Sequence, residues 1–277
     1  MTQSLETPPA LAVFDIDGTL LTFDGQCSSL ACETLAALRA NGVLTAIATG
    51  RPMAALSETL DKIGPVDLAV LSNGSLAIDL RTDETLFEAT VPGPEVDRLV
   101  RSVRSDVDTV GVALDIGVRT IEEAGFARRL PPRVDFEHPV ADVLAAAGEP
   151  TPAAQRVIFF HDEHDDDVEG LAAAVRPHVG RAGELILAPL IGLVEVTPEG
   201  INKATALAHI VDALGLNAAD TVAFGDGLND LEMLAWAGTG VAMGSAGERL
   251  RAVADHVTGT VEADGVPTFL APLVDLG

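Results

Sequence analysis

The sequence predicts an α/β protein, a doubly wound parallel sheet with an α+β module inserted into it. Three observations predict it. Short apolar runs alternate with helical patterning at both ends of the chain. Between about residues 83 and 190 that rhythm gives way to strands mixed with a few helices. Polar clusters follow the predicted strands, and in doubly wound sheets ligands sit beyond the carboxyl ends of the strands. The expected division is a core of residues 1–82 and 191–277 around an inserted domain of residues 83–190.

In chain order, residues 11–16 read as a buried strand and Gly18 suits a tight turn. Ser28 or Ser29 can cap a helix whose apolar positions include Leu30, Leu35 and Leu38, and Asn41-Gly42 ends it. Residues 43–48 form a second strand, closed by Thr49-Gly50-Arg51-Pro52, and a helix follows over 53–62. A third strand, 67–71, ends in Ser72-Asn73-Gly74. A hairpin, 75–79 and 85–91, spans the start of the inserted module, and an amphipathic helix follows over 94–105. Strands follow at 110–114 and 118–122, with an irregular segment over 128–139. Helices are expected near 140–147 and 168–175, and strands at 156–160, 184–188 and 193–196. The α/β rhythm resumes with a helix over 202–214, a buried strand at 221–224, a helix over 231–237, a short strand at 240–243 and a helix over 246–254.

Composition bounds the function. The 277 residues are 48% apolar, enough for a large core, and the formal charge is −25, from 17 basic and 42 acidic side chains. That balance argues against nucleic acid and against anionic membrane surfaces. No uninterrupted apolar stretch of about 18 residues predicts a membrane span. The first ten residues lack Lys, Arg and a long apolar run, so no secretory signal is expected and the cytoplasm is the default. Cys27 and Cys32 stand five apart at a predicted helix entry. On one helix they point in different directions, so free thiols are expected rather than a mutual disulfide.

The chemistry centres on Asp15-Ile16-Asp17-Gly18-Thr19. Two carboxylates at the end of a buried strand need a positive partner, and a divalent cation takes carboxylate oxygens. In the mechanistic reading Asp15 attacks phosphorus, forming an aspartyl phosphate, and Asp17 exchanges protons with the leaving alcohol and then with water. Gly225-Asp226-Gly227-Leu228-Asn229-Asp230 is a second acidic strand end. A capping aspartate explains one of its two acids. Metal binding is expected for Asp226, and for Asp230 either a ligand role or a role behind the ligands. Thr49, with nearby backbone N–H groups, can hold an oxyanion, although it could equally cap the next helix. Lys203 opens a helix, where a cation opposes the macrodipole, so an anionic ligand explains it better. The run His161-Asp162-Glu163-His164-Asp165-Asp166-Asp167 reads as a solvated acidic loop rather than a metal cluster, and Trp236 as a core residue.

These segments, together with Ala48-Thr49-Gly50-Arg51-Pro52, Ser72-Asn73-Gly74 and Lys203, occur in the order seen in the haloacid dehalogenase superfamily. The chain resembles the Cof-type phosphatases in particular, with Val241-Ala242-Met243-Gly244 and Asp264-Gly265-Val266 similar to their closing motifs. It departs at Ser245, at Thr260-Val261-Glu262 and at Asn202 and Ala204, which flank Lys203. The resemblance implies a Rossmann-like core with an α+β cap, and Mg²⁺-dependent hydrolysis of a phosphomonoester. It implies that Asp15 is the nucleophile and Asp17 the acid/base, with Asp17 also binding metal through its backbone carbonyl. Asp226 completes the metal ligands, with Asp230 beside it. Thr49, Gly50 and Lys203 would bind the phosphoryl group, and Asn73, Gly74 and Asn229 would contact phosphate or substrate.

The expected substrate is a small phosphorylated metabolite, a sugar phosphate first, with nucleotide or flavin-related phosphates as alternatives. Residues 111–137 and 184–192 are the expected substrate-facing part of the cap. A phosphomutase and a catalytically idle phosphate- or metal-binding regulator are the rival readings.

Overall fold

The computed structural model describes residues 8–126, 139–161, 167–188 and 192–273. The chain divides into two compact units. One comprises residues up to Arg51, Leu56–Phe87 and the chain from Asn202 onward, and the other comprises Pro52–Ala55 and Glu88–Ile201.

The first unit opens with β1 (Leu11–Phe14), α1 (Ser29–Ala40), β2 (Leu44–Ala48), α2 (Leu56–Ile63), β3 (Leu68–Leu71), β4 (Leu76–Asp79) and β5 (Glu84–Glu88). The second unit supplies α3 (Gly93–Asp106), β6 (Val110–Ile116), β7 (Arg119–Glu122), α4 (Val143–Ala147), β8 (Arg156–His161), α5 (Val168–Val179), β9 (Glu184–Ala188) and β10 (Leu193–Thr197). The chain then returns with α6 (Lys203–Leu214), β11 (Thr221–Gly225), α7 (Leu231–Trp236), β12 (Thr239–Ala242), α8 (Glu248–Arg251), β13 (His256–Val257) and α9 (Gly265–Leu270).

The first sheet runs β13-β12-β11-β1-β2-β3-β4-β5. The pairs β1–β2, β2–β3, β1–β11, β11–β12 and β12–β13 are parallel, and β3–β4 is antiparallel. From β1 the order runs outward one way to β2 and β3 and the other way to β11, β12 and β13, so β1 is the switch point. All four residues of β1 are buried, as an apolar run without alternation requires when both faces are covered. Phe14 stacks on Phe224 of the neighbouring β11 at 5.4 Å between ring centroids. Packed on the sheet are Leu207, Ile210 and Val211 of α6 and Met233 and Leu234 of α7.

Local chemistry sets the helix ends. Ser28 accepts from the Ala31 N–H to cap α1, and Asn202 accepts from the Thr205 N–H to cap α6. Gly215, left-handed at φ 65°, ends α6. The sequence pattern extends a helix over all of 246–254, but only Glu248–Arg251 are α-helical.

The second unit carries a five-stranded sheet, β7-β6-β8-β10-β9, antiparallel throughout. Val96, Leu99, Val100 and Val103 of α3 and Leu171 and Val175 of α5 share one core with strand residues of β6, β8 and β10. Those strand residues are Val112 and Leu114, Val157 and Phe159, and Val194 and Val196. A smaller cluster takes the alternate strand positions Ala113, Ile158, Phe160 and Leu193, joined by Phe126 from beyond β7. The same parity brings in Asp115, Arg156 and Glu195. Arg156 donates to Asp115 Oδ2 at 2.7 Å through Nε and to Glu195 Oε1 at 2.9 Å through Nη1, all three being buried.

Two boundaries differ from the sequence reading. That reading starts the inserted module at residue 83 and so places β5 in it, yet β5 extends the first sheet beyond β4. β10 pairs with β8 and β9, so it belongs to the second unit rather than to the core. Alternation identifies a strand but not the sheet it joins. The segment expected to be irregular lies almost wholly outside the described residues.

The cysteines are free thiols, as expected, but the reason given for it is corrected. Cys27 precedes the cap Ser28 and is not on the helix, so helical rotation does not separate it from Cys32. The two free thiols lie 3.2 Å apart, sulfur to sulfur.

Candidate active site

Every predicted site residue except Lys203 stands on, or just after, the 3₁₀ and loop segments that follow the parallel strands. Asp15 follows β1, Thr49 follows β2, Asn73 and Gly74 follow β3, and Asp226, Asn229 and Asp230 follow β11. Because these strands are parallel and in register, their carboxyl ends fall together. Lys203 is the first residue of α6.

Lys203 is the hinge of the arrangement. It is 1% exposed, and its Nζ lies 2.6 Å from Asp15 Oδ1 and 2.6 Å from Asp230 Oδ1. Burial alone would lower its pKa, but the attraction of Asp15 and Asp230 outweighs this and holds it above the usual lysine range. The second Asp230 oxygen accepts from the backbone N–H groups of Asp226 and Gly227 at 3.1 and 2.9 Å. Asp230 thereby fixes the turn that presents Asp226. Capping of this turn is the work of Asp230, and Asp226 is left with its carboxylate free of that duty.

Oxygens of Asp15, Asp226 and Asp230 lie within 4.8 Å of one another, the one such acidic grouping among the described residues. Burial and repulsion from Asp230 hold the Asp15 carboxyl well above the usual range, Lys203 opposing. The same two causes push Asp226 up to about 6, against Lys203 and the Thr19 hydroxyl, which donates to Asp226 Oδ1 at 3.4 Å. Three carboxylates share one ammonium, so the site keeps excess negative charge in a buried setting. Hard oxygen donors in that state suit a divalent cation. Gly18, at φ +88°, leaves no room for more: a Cβ there would overlap the Asp226 carboxylate.

Asp17 stands apart from this cluster. Its carboxylate is held in a two-point ion pair by Arg51, with Nε 2.9 Å from Oδ2 and Nη2 2.5 Å from Oδ1. Arg51 Nη1 also donates to Thr59 Oγ1 at 3.1 Å, which anchors the guanidinium to α2. The sequence reading places Arg51 within a motif and gives it no role. The signal that points to it is an arginine at a strand end beside an acid-rich loop.

Thr49 is buried, and its hydroxyl accepts from the Arg51 N–H at 3.1 Å. Its carbonyl accepts from the Asn73 N–H, also at 3.1 Å. Asn73 has left-handed φ of 55°, and its side-chain oxygen accepts from Asn229 Nδ2 at 3.1 Å. Gly50 packs against that same amide. Gly74 approaches the start of α6 so closely that a Cβ would collide with the Asn202 carbonyl. The phosphate and substrate residues expected from sequence thus form one connected set next to Asp230, through Asn229.

The weaker candidates settle as follows. His161 lies with its ring nitrogen beside the Thr109 hydroxyl and the Asp108 carbonyl, and Asp167 caps α5 by accepting from the Gly170 N–H at 2.8 Å. Residues 162–166 lie outside the described residues. Trp236 packs against the first-unit core, partly buried.

The profile of the haloacid dehalogenase-like hydrolases matches residues 12–270. The chain belongs to that family. As a member it is a phosphatase of the haloacid dehalogenase type, and the Cof-type resemblance is borne out. An HMP-PP phosphatase of Enterobacter sp. (strain 638) is 29% identical over 267 residues, 96% of each chain. The 5-amino-6-(5-phospho-D-ribitylamino)uracil phosphatase of Bacillus subtilis is 28% identical, over 96% of this chain and 98% of its own. Among solved structures, a subclass IIB sugar phosphatase of the same superfamily superposes with a TM-score of 0.77 at 26% identity, over 95% of this chain and 98% of that one. This family phosphatase shares with such relatives the mixed α/β fold built on a central parallel sheet.

Proposed function

We propose that this phosphatase hydrolyses a small phosphorylated metabolite, a sugar phosphate first, through a phosphate ester formed on Asp15. One observation carries the reading: Lys203, fully buried, lies 2.6 Å from both Asp15 and Asp230 beside the Asp226 carboxylate. A cation held this way fixes the nucleophile's orientation and offsets the charge of an arriving phosphoryl group.

In this reading Asp15 attacks phosphorus, and the bond to the leaving alcohol breaks. Asp17 gives that alcohol its proton and later takes one from the attacking water. Arg51 holds the Asp17 carboxylate in place until it turns to the reaction. Lys203 and Thr49 hold the transferred group, with Gly50, Asn73, Gly74 and Asn229 around it. Asp15 and Asp226, with the Asp17 carbonyl, would hold Mg²⁺, which supplies charge neutralisation between carboxylate and phosphate when bound. Asp230 supports them by fixing Lys203 and the 226–227 turn, since both its oxygens are already engaged. The second unit is the specificity module. The sugar-phosphate choice rests on the sugar phosphatase named above, and HMP-PP and ribitylaminouracil phosphates are the next classes to try.

The test is phosphate release from a panel of phosphorylated metabolites and an aryl phosphate, with and without Mg²⁺, for wild type and Asp15→Asn. Release that needs Mg²⁺ and disappears in Asp15→Asn is expected. An Asp15→Asn variant with wild-type turnover overturns the assignment. Isomer formation from a bisphosphorylated sugar, in place of phosphate release, would mark a mutase.

A further inference from the structure

Cys27 and Cys32 take no part in the phosphatase chemistry, yet three elements bring them together. Cys27 ends the turn in which the Thr22 N–H donates to the Gln26 carbonyl at 2.9 Å, after the Asp15–Leu21 segment. Cys32 lies in the first turn of α1. Cys32 Sγ is 3.2 Å from Cys27 Sγ and 3.3 Å from the Lys62 carbonyl oxygen on α2. Both side chains are partly exposed rather than buried. Cys27 also lines a pocket of about 240 Å³ with Thr19, Gln26, Ser28, Glu262 and Asp264.

Burial and the hydrogen bond from Cys32 push the Cys27 thiol up to about 12. It therefore rests as a thiol and not as the thiolate that a soft metal needs. The pocket wall is acidic. Asp264 is pinned there by the Ser28 hydroxyl, which donates to its Oδ1 at 2.6 Å, and Glu262 stands beside it. An anionic reagent meets repulsion in this pocket, while a cationic one is attracted.

We propose that Cys27 and Cys32 are a thiol–disulfide exchange site that closes to an intramolecular disulfide on reaction with a small cationic or neutral disulfide. The exchange has two steps. One thiol of the pair loses its proton and its sulfur attacks the external disulfide, forming a mixed disulfide and releasing one small thiolate, which takes up a proton. The second thiol then loses its proton and attacks the protein sulfur of that mixed disulfide, releasing the second small thiol in the same way. Two protein thiols are oxidised and one external disulfide is reduced to two thiols. The sulfurs need to close only from 3.2 Å to a bond of about 2.05 Å.

The experiment uses the intact protein, with cystamine as the cationic probe and glutathione disulfide as the anionic one, read by intact mass and thiol alkylation. In cystamine the wild type is expected to lose two hydrogens, retain no adduct, become closed to alkylation at both cysteines and revert with dithiothreitol. Cys27→Ser and Cys32→Ser are each expected to retain one cysteamine adduct. Glutathione disulfide should react at least about tenfold more slowly than cystamine. Stable cysteamine adducts on the wild type, or two thiols that remain alkylatable at saturating cystamine, would overturn the exchange site, and equal rates for the two probes would overturn its charge selectivity. These readouts follow sulfur alone, so they stand or fall independently of the phosphatase assignment.

Discussion

Among the described residues each unit buries one cation between two carboxylates, and the two arrangements differ in what stands beside them. In the second unit Arg156 meets Asp115 and Glu195 through separate nitrogens, and the Thr120 hydroxyl donates to Asp115 Oδ1 at 2.6 Å. The planar guanidinium matches carboxylate geometry and meets each acid through its own nitrogen. Attraction of both acids, against burial, holds Arg156 above its ordinary range. In the first unit Lys203 offers a point charge to Asp15 and Asp230, and a third carboxylate, Asp226, stands beside them. Burial first, and repulsion from Asp230 second, raise both Asp15 and Asp226. What marks the first-unit group as a candidate site is a third carboxylate beyond the two its cation meets, with Asp15 and Asp226 both raised; burial alone does not separate the two cases.

Substitutions can break this contrast. The largest effect is expected for Lys203→Met, with turnover of an aryl phosphate down by roughly 10²–10³-fold through loss of a charge at the reacting group. Arg156→Met should instead cost about 3–5 kcal/mol of stability by leaving two buried carboxylates without their cation, with aryl phosphate turnover largely kept. Denaturant unfolding and steady-state kinetics on the two variants check both. If Arg156→Met abolished turnover in folded protein, the distinction between a structural and a functional ion group would fail.

Glu122 sharpens the comparison within the second unit. It is 4% exposed, its Oε2 has no hydrogen-bond partner among the described residues, and burial pushes it up to about 7. A carboxyl raised in the folded state favours the fold below its ordinary pKa near 4.5, and that advantage is lost as pH rises toward 7. Glu122→Gln removes the loss. Stability should therefore rise by about 1–3 kcal/mol at pH 8 and change little at pH 4, measured by urea unfolding at both. A smaller effect is expected in the first unit. Asp226, at about 6 without metal, must ionise to bind a cation, so Mg²⁺ affinity should fall by up to about tenfold per pH unit below 6. Titration of Mg²⁺ by calorimetry between pH 5 and 7.5 reads this, and a flat affinity would contradict it.

Much of this is legible in the residues. Asp15 and Asp17 stand out because two acids at the end of an apolar strand demand a partner, and Lys203 because a lysine at a helix start opposes the dipole. The division of labour is less legible. That Asp230 caps the 226–227 turn and holds Lys203 depends on where its two oxygens point, which spacing does not record. The Arg51–Asp17 pair joins residues 34 positions apart on neighbouring strand ends and needs the strand order to be seen. Cys27 misleads by one structural step, since putting it on α1 instead of before Ser28 turns neighbours into strangers. β5 reads as part of the wrong sheet because a hairpin pattern is the same on either side of a domain boundary.

The central claim is that Asp15 carries the phosphoryl group. Rapid-quench of the enzyme with a labelled phosphomonoester in Mg²⁺, followed by borohydride reduction and peptide mapping, tests it directly. The account predicts a transient phosphoenzyme whose reduction converts Asp15, and no other aspartate, to homoserine. Turnover without any trapped phosphoenzyme, or reduction at a different acid, would contradict it.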